Sequence, residues 1–157
     1  MKLDLTLKNK EYVSRLFRSV ADQALADGHQ FQFNWSESMI QQALDQYLFF
    51  ADRSDSAMSA FICFQSIDQD FEILALGCDP LFRGQNRMKE LLTAFLTSAR
   101  AAGAAVFLEV HERNQVAVNL YKTVGFRQIH IRRAYYKDGA NALVLKYSAD
   151  ETTLESI

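Results

Sequence analysis

The chain has 157 residues, a length that suits a single domain with a sizeable hydrophobic core. Its composition is 49% hydrophobic and 23% charged with only 1 proline, which excludes disordered, collagen-like and low-complexity chains. The formal net charge of −2 provides no basic field that would attract nucleic acid or an anionic membrane surface.

Nothing in the sequence resembles a targeting or membrane-spanning segment. No apolar run approaches the length that crosses a bilayer, and the first residues lack the apolar stretch of a signal peptide. Cys63 and Cys78 lie in apolar stretches far apart, as reduced core thiols would. We therefore expect a cytoplasmic protein that binds neither nucleic acid nor membranes, and we expect it to be a monomer or a weak dimer.

The first third of the chain predicts a strand and two helices. Residues Lys2–Leu7 alternate polar and apolar, and Tyr12–Ala24 carries apolar residues at helical spacing before a stop at Gly28. Ser36 can cap a second helix, after an aromatic-rich loop at 29–35. The predicted apolar face of this second helix consists of Met39, Ile40, Ala43, Leu44 and Tyr47.

The middle of the chain predicts three strands. Tyr47–Ala51 and Ala57–Ser66 are rich in apolar and aromatic residues and flank a polar turn at 52–56. The third strand, Phe71–Cys78, ends before Pro80, which has no N–H to donate to a sheet.

A long amphipathic helix and a buried strand follow. The helix is predicted over residues 86–102, with Gly103 as its stop. Its apolar stripe consists of Met88, Leu91, Leu92, Phe95, Leu96 and Ala99. The nearly continuous apolar run Ala105–Val110 is typical of a strand buried on both faces.

The last third predicts one more helix and a hairpin. Asn114 can cap a helix that ends at Gly125. The inward face of that helix is predicted to be Ala117, Leu120, Tyr121 and Val124. Phe126–Tyr136 and Ala140–Tyr147 predict two strands joined at 137–139. The element order β-α-α-β-β-β-α-β-α-β-β indicates one mixed-sheet α/β domain that covers the whole chain, residues 1–157.

Several familiar cofactor motifs are absent, but one turn can bind an anion. The sequence has no GxxxxGK[ST], GxGxxG, CxxC or HExxH, and its histidines lack metal-ligand spacing, so we expect no metal. The turn Arg83–Met88 can aim backbone N–H groups and a helix N-terminus at a phosphate, to which Arg83 and Arg87 add charge. The alternative is an ordinary strand-to-helix connection with solvated arginines.

Two side chains can carry acid–base chemistry. Glu109 lies within the apolar strand, where an unpaired carboxylate is costly and its pKa rises. A raised pKa is what a general base near neutral pH needs. The alternative for Glu109 is a structural hydrogen bond at a strand end. Tyr121 lies on the apolar stripe of its helix, where the alternative to a functional residue is a core tyrosine.

Four short sequence words indicate a known family. They are Asn34-Trp-Ser-Glu37, Leu108-Glu-Val110, Asn114-x-x-Ala-x-x-Leu-Tyr-x-x-x-Gly-Phe126 and Ile131-Arg-Arg-Ala-Tyr-Tyr136. In this order they resemble the GNAT superfamily of N-acetyltransferases, and within it the RimI-type enzymes that acetylate protein N-termini. The first word is similar to a Pro-Trp-Ser-Glu segment of those enzymes, with Asn34 in place of the proline.

The resemblance implies a fold and a reaction. The fold is the single-domain GNAT α/β fold, with a mixed, mostly antiparallel sheet of about six or seven strands. About four helices flank this sheet, which is splayed between strands 4 and 5. The reaction is direct, metal-free transfer of an acetyl group from the co-substrate acetyl-CoA to the α-amine of a protein N-terminus. The alternatives are a small-molecule amine as acceptor, or a non-catalytic acyl-CoA-binding domain.

The resemblance also implies roles for individual residues. Glu109 is the base that takes a proton from the incoming ammonium, and Tyr121 is the acid that protonates the departing thiolate. The implied acetyl-CoA-binding residues are Leu76 and Cys78 at the strand end, Arg83, Gly84, Gln85, Asn86, Arg87 and Met88 in the turn, and Asn114 at the pantetheine arm. The implied substrate-binding residues are Trp35, Tyr135 and Tyr136.

The turn departs from the family pattern [Q/R]-x-x-G-x-[G/A] at two positions. Asn86 stands in place of glycine, and asparagine tolerates left-handed backbone better than most residues. Met88 stands in place of a very small side chain. We expect the Met88 side chain to join the apolar stripe of its helix, which leaves the turn open to phosphate.

Overall fold

The computed structural model describes residues 2–3, 14–16, 18–19, 36–51 and 59–150. The aromatic loop at 29–35, the turn at 52–56 and most of the first predicted helix lie outside the described residues. Within that first helix the structure has helical backbone at 14–16 and 18–19, the stretch that we label α1.

The chain divides into two compact units. The first comprises residues 1–65 and 73–92, and the second comprises residues 66–72 and 93–157. The strand β4 (Asp70–Cys78) contributes residues to both units, and so does the helix α3 (Arg87–Ala101).

The first unit is built on antiparallel strands. β1 (Lys2–Leu3) pairs with β2 (Leu48–Ala51), and β2 pairs with β3 (Ala60–Ile67). In sheet order these strands are β1-β2-β3-β4. The register sets Phe49 opposite Cys63, both of which are buried. The predicted central strands are confirmed, with ends that differ from the prediction by at most three residues.

The helix α2 (Glu37–Gln46) covers the core of the first unit. Ser36 caps this helix as predicted, because its hydroxyl accepts a hydrogen bond from the Met39 N–H at 3.3 Å. The core cluster consists of Leu16, Ile40, Ala43, Leu44, Phe49, Ala51, Phe61, Cys63 and Ala75. The prediction that Met39 faces the core was wrong, because this residue is 44% exposed. The buried stripe of α2 consists of Ile40, Ala43 and Leu44, and Met39 lies at the edge of that stripe.

The second unit contains the rest of the sheet. Its strands are β5 (Val106–His111), β6 (Arg127–Arg132) and β7 (Ala142–Tyr147), with the order β5-β7-β6 and antiparallel pairing throughout. The helix α4 (Gln115–Thr123) follows β5. Asn114 caps α4 as predicted, since its Oδ1 accepts from the Ala117 N–H at 3.2 Å.

The hairpin between β6 and β7 differs from the prediction. β6 stops at Arg132, so Tyr135 and Tyr136 lie in a nine-residue connection, 133–141, and not in a strand. The chain leaves the strand because Ala134 adopts a left-handed conformation with φ +49°. We call residues 133–141 the tyrosine loop.

Candidate active site

Glu109 on β5 is paired with an arginine. Arg132, the last residue of β6, donates from Nη1 to the Glu109 carboxylate. The Glu109 side chain is 26% exposed and the Arg132 side chain 48% exposed, so this ion pair lies at the surface of the sheet. The guanidinium compensates the charge of the partly buried carboxylate. The same guanidinium lies 4.6 Å from the ring centre of Tyr135, and its hydrogen bond to Glu109 raises the pKa of Arg132.

Tyr121 lies on the buried face of α4. The N-cap at Asn114 fixes where this helix begins and therefore which side chains point inward. Tyr121 is 7% exposed and packs edge-on against Phe126 with ring centres 5.7 Å apart. Burial, and then the neighbouring Tyr136, raise the pKa of Tyr121, so its phenol keeps its proton well above neutral pH.

Tyr136 connects these two groups. Burial first, and then the negative charge of Glu109, raise the pKa of Tyr136 to about 12. Its ring lies 4.5 Å from the ring of His111, and the ring of Tyr135 meets it edge-on at 5.2 Å. The structure thus brings Glu109, Tyr121, Tyr135 and Tyr136 together in the second unit.

Two polar pairs that the sequence analysis did not select anchor the tyrosine loop. His111 is bonded to Asp138 at 2.8 Å, and Glu112 accepts hydrogen bonds from the backbone and side-chain nitrogens of Asn141 at 2.8 and 3.2 Å. In the sequence, His111 and Glu112 stand at the end of an apolar strand, and Asp138 and Asn141 stand near the predicted turn at 137–139. These positions do not show which of the four residues bond to each other.

The turn after β4 belongs to the first unit and has an unusual backbone. Pro80–Phe82 form one turn of 3-10 helix, capped by the Asp79 carboxylate, which accepts from the Leu81 N–H at 2.9 Å. Gly84 and Asn86 then both adopt left-handed conformations, with φ +75° and +58°. Asn86 thus adopts the left-handed conformation that asparagine tolerates better than most residues.

The side chains around this turn leave its backbone accessible. A Cβ added at Gly84 would have no heavy atom within 4 Å, so open space surrounds that residue. The Arg87 guanidinium lies over the Phe82 ring at 5.6 Å. Met88 is half-buried. Backbone donors at the start of the 15-residue helix α3, together with two arginines, form a site that suits a diphosphate.

Leu76 and Cys78 lie on the less buried side of β4. Both are half-buried, whereas Ile73 and Ala75 on the opposite side are buried. Cys78 is therefore not the core thiol that the sequence predicted, although Cys63 is; both are free cysteines. Burial raises the pKa of the Cys78 thiol, and the positive charges of Arg83 and then Arg87 oppose that effect, so both guanidiniums act at this strand end.

Two predicted site residues have a different status. Asn114 uses its Oδ1 to cap α4, so a contact with a pantetheine arm would fall to its side-chain nitrogen. Trp35 lies outside the described residues. The predicted site residues at 76–88 belong to the first unit, and Glu109, Asn114 and the three tyrosines belong to the second.

A metal site, a membrane-spanning helix and a separate cavity are three other features that the described part of the chain could hold. Residues 2–3, 14–16, 18–19, 36–51 and 59–150 contain no group of three or more metal-ligating side chains and no helix with the length and apolarity to cross a membrane. A cavity of about 400 Å³ in the second unit is lined by Tyr147 and the end of α4. Tyr147 pairs with Val106, at the opposite end of β5 from His111, so this cavity is separate from the Glu109 cluster.

Comparison with known proteins gives consistent relatives. The model of the acetyltransferase (GNAT) family matches residues 11–126. The chain is 38% identical over 96 residues to the [ribosomal protein bS18]-alanine N-acetyltransferase of Haemophilus ducreyi, a match that covers 58% of this chain and 66% of that protein. It is 37% identical over 78 residues to the N-alpha-acetyltransferase RimI of Mycobacterium tuberculosis, covering 49% and 48% of the two chains. The matches thus span less than two thirds of these curated relatives.

The likeness in three dimensions extends over the full chain. The crystal structure of the ribosomal-protein-S18-alanine N-acetyltransferase from Escherichia coli superimposes with a TM-score of 0.77 at 22% identity. The match covers 100% of this chain and 98% of that structure. The predicted α/β fold class, with its mixed and mostly antiparallel sheet, is confirmed.

Proposed function

Because this chain belongs to the acetyltransferase (GNAT) family, we propose that it transfers the acetyl group of acetyl-CoA to the α-amine at a protein N-terminus. Residues 1–157 act as one N-acetyltransferase domain. The names of the relatives in Haemophilus ducreyi and Mycobacterium tuberculosis support a protein acceptor. The observation that carries the proposal is the cluster of Glu109, Tyr121 and Tyr136 in the second unit.

Glu109 provides the negative charge and the base. An amine attacks only as the neutral species, so the acceptor ammonium must first lose a proton. The Glu109 carboxylate attracts that ammonium and receives its proton through a water molecule. Arg132 holds the carboxylate in one orientation until the acceptor approaches, because their ion pair fixes the side chain of Glu109 at the surface of the sheet.

Tyr121 provides the acid. A thiolate leaves more readily when a proton reaches the sulfur, and the donor must still carry that proton at the working pH. The raised pKa of Tyr121 keeps the phenol protonated, and its burial excludes competing water. No covalent intermediate with the protein is needed, since the amine nitrogen forms its bond to the acetyl carbon directly.

The first unit binds the acetyl donor. Acetyl-CoA supplies the thioester that makes the acetyl group transferable. The turn Arg83–Met88 fits its pyrophosphate, because Gly84 is surrounded by open space and Arg83 and Arg87 supply positive charge. The backbone at Leu76 and Cys78 aligns the acetyl and pantetheine end, and Gln85 and Asn86 complete this part of the donor site. The resemblance to the family implies that Asn114, a residue of the second unit, contacts the pantetheine arm.

The aromatic residues bind the acceptor. Tyr135 is half-exposed and Tyr136 is half-buried, so the tyrosine loop presents two rigid rings beside Glu109. The resemblance to RimI-type enzymes implies that Trp35, which lies outside the described residues, also contacts the acceptor. The enzyme acts in the cytoplasm as a monomer or a weak dimer.

The acceptor assignment is tested by measuring coenzyme A release with matched peptides. One peptide carries a free α-amine and no lysine; its partner has the same sequence with a blocked N-terminus and one internal lysine. We expect turnover with the first peptide only, and a loss of about 100-fold or more in kcat/KM for Glu109→Gln. Equal rates on both peptides, or faster acetylation of free small amines, would contradict the α-amine assignment.

The donor site is tested by calorimetry. Arg83→Ala should weaken acetyl-CoA binding about tenfold, since it removes one charge-assisted contact to phosphate. Arg133→Ala is the matched control, because Arg133 is an exposed arginine of the second unit. Binding that is equally strong in both variants would exclude Arg83 from the pyrophosphate site.

A further inference from the structure

We propose that His111 is a positioning residue for the acceptor: with Asp138 it holds the tyrosine loop in the conformation that presents Tyr135 and Tyr136. This inference deepens the proposed function and rests on it for the identity of the acceptor site. The anchoring of the loop itself can be measured without any acetyl transfer.

Both nitrogens of the buried His111 ring are committed to the backbone and to the loop. Nδ1 accepts a hydrogen bond from the Arg113 N–H at 3.1 Å, which places the ring hydrogen on Nε2. Nε2 then donates to Oδ2 of Asp138 at 2.8 Å. With two bonds on a side chain that is only 1% exposed, the ring has a single orientation.

Asp138 links the His111 ring to the tip of the tyrosine loop. Its second oxygen, Oδ1, accepts from the Ala140 N–H at 3.0 Å, so one carboxylate joins His111 to the backbone after the turn. These contacts lower the pKa of Asp138, which keeps it anionic at neutral pH. Asn141 anchors the start of the loop in the same manner, because its Oδ1 accepts from the Ala134 N–H at 2.9 Å.

The fixed ring of His111 then orders a series of aromatic contacts. Tyr136 stacks on His111 with the ring planes 33° apart, and Tyr135 stands at 85° to Tyr136. Arg132 lies over Tyr135 and ends on Glu109. His111 therefore fixes the orientation of the two tyrosines proposed to bind the acceptor, while Arg132 holds the Glu109 carboxylate.

The arrangement acts on acceptor binding more than on global stability. Asp138 is 42% exposed and Tyr135 is about half exposed, so the tip of the loop contributes little buried apolar area. Removing the Asp138 carboxylate leaves the β5-β7-β6 core in place and frees only the loop. The acceptor then has to order the loop on binding, which raises its KM.

The experiment compares Asp138→Ala with two controls. Lys137→Ala changes the exposed neighbouring residue of the same loop. His111→Gln keeps an N–H that can reach Asp138, and serves as the conservative variant. Each protein is examined by steady-state kinetics with the free-amine peptide, by calorimetric titration with acetyl-CoA, and by hydrogen exchange of the Ala140 amide.

We expect Asp138→Ala to raise the KM for the peptide about tenfold, with kcat changed less than about threefold. Acetyl-CoA affinity should stay within about twofold, and the Ala140 amide should exchange about tenfold faster. Lys137→Ala should match the wild type, and His111→Gln should lie between the two. In the double variant Asp138→Ala/His111→Gln the effects should not add, because both changes act on the same hydrogen bond.

The possible failures are distinguishable. An unchanged Ala140 exchange rate in Asp138→Ala would overturn the anchoring role of His111 and Asp138, whatever the kinetics show. Faster exchange with an unchanged peptide KM would overturn the link from the loop to the acceptor. A wild-type protein that acetylates no peptide would refute the proposed function, whereas accelerated exchange in Asp138→Ala would still support the anchoring of the loop.

Discussion

Replacing Tyr121 by phenylalanine removes one oxygen atom from the centre of the candidate active site. The ring of Tyr121 is buried on α4 and packs edge-on against Phe126 at 5.7 Å, and phenylalanine keeps both the volume and this contact. The free energy of unfolding should therefore change by less than about 1 kcal/mol. Any large loss of activity in Tyr121→Phe then reports on the hydroxyl group and not on the fold.

The expected loss of activity follows from the role of the phenol. A positioned general acid contributes about 10²–10⁴ to the rate, which corresponds to about 3–5 kcal/mol of activation free energy. Because burial raises the pKa of Tyr121 above the ordinary value of a tyrosine, about 10, the phenol stays protonated throughout a neutral assay. The wild-type kcat should accordingly show no decline from ionisation of Tyr121 below pH 10.

The assay measures kcat from coenzyme A release at saturating acetyl-CoA and peptide, between pH 6 and pH 10. Tyr147→Phe is the matched control, since Tyr147 also packs on Phe126, with ring centres 6.0 Å apart, but pairs with the start of β5. We expect a loss of about 100-fold or more for Tyr121→Phe and little change for the control. A kcat within about threefold of the wild type would refute the assignment of Tyr121 as the acid.

Three further predictions concern stability and the turn after β4. Burial raises the pKa of the Cys63 thiol to about 12, so as pH rises the thiol ionises in the unfolded chain before it ionises in the folded protein. The free energy of unfolding should therefore fall by about 1.4 kcal/mol per pH unit between about pH 9 and pH 12. Urea unfolding at several pH values should show a shallower decline in Cys63→Ala, and an unchanged decline would contradict the burial of an un-ionised thiol. Leu92→Ala should lower the free energy of unfolding by about 2–5 kcal/mol, because Leu92 is fully buried; a loss below about 1 kcal/mol would argue against that packing. Gly84→Ala should cost about 1 kcal/mol from its φ of +75° and weaken acetyl-CoA binding, whereas Gly103→Ala at φ +69° should cost the same and leave binding unchanged.

Local sequence patterns were sufficient for most helices and strands. Ser36 and Asn114 cap helices where a polar side chain precedes an apolar period, and the caps form in the structure as predicted. These signals work because the hydrogen bond and the period both involve residues within one or two helical turns. The prediction for the hairpin was wrong after Arg132. The composition of residues 133–136 is typical of a strand, and nothing in it reveals that Ala134 adopts a left-handed conformation.

The family also followed from the sequence. The word that runs from Asn114 to Phe126 combines a helix cap, a buried tyrosine and a glycine stop at fixed spacing. Its resemblance to the GNAT superfamily agrees with the family model that matches residues 11–126. Glu109 and Tyr121 were selected by this resemblance together with their positions on an apolar strand and an apolar helix face. Their catalytic roles remain predictions until the substitutions are measured.

The partners of the candidate site residues were decided only by the tertiary structure. Arg132 reaches Glu109 across 23 positions of sequence, and His111 reaches Asp138 across 27. Each pair depends on the register of β5, β7 and β6, which sets Glu109 opposite Val144. A one-residue slip of β5 in that register would turn Glu109 and His111 to the other face of the sheet. The sequence alone determined which residues could carry the chemistry, and the pairing of distant strands determined which of them meet.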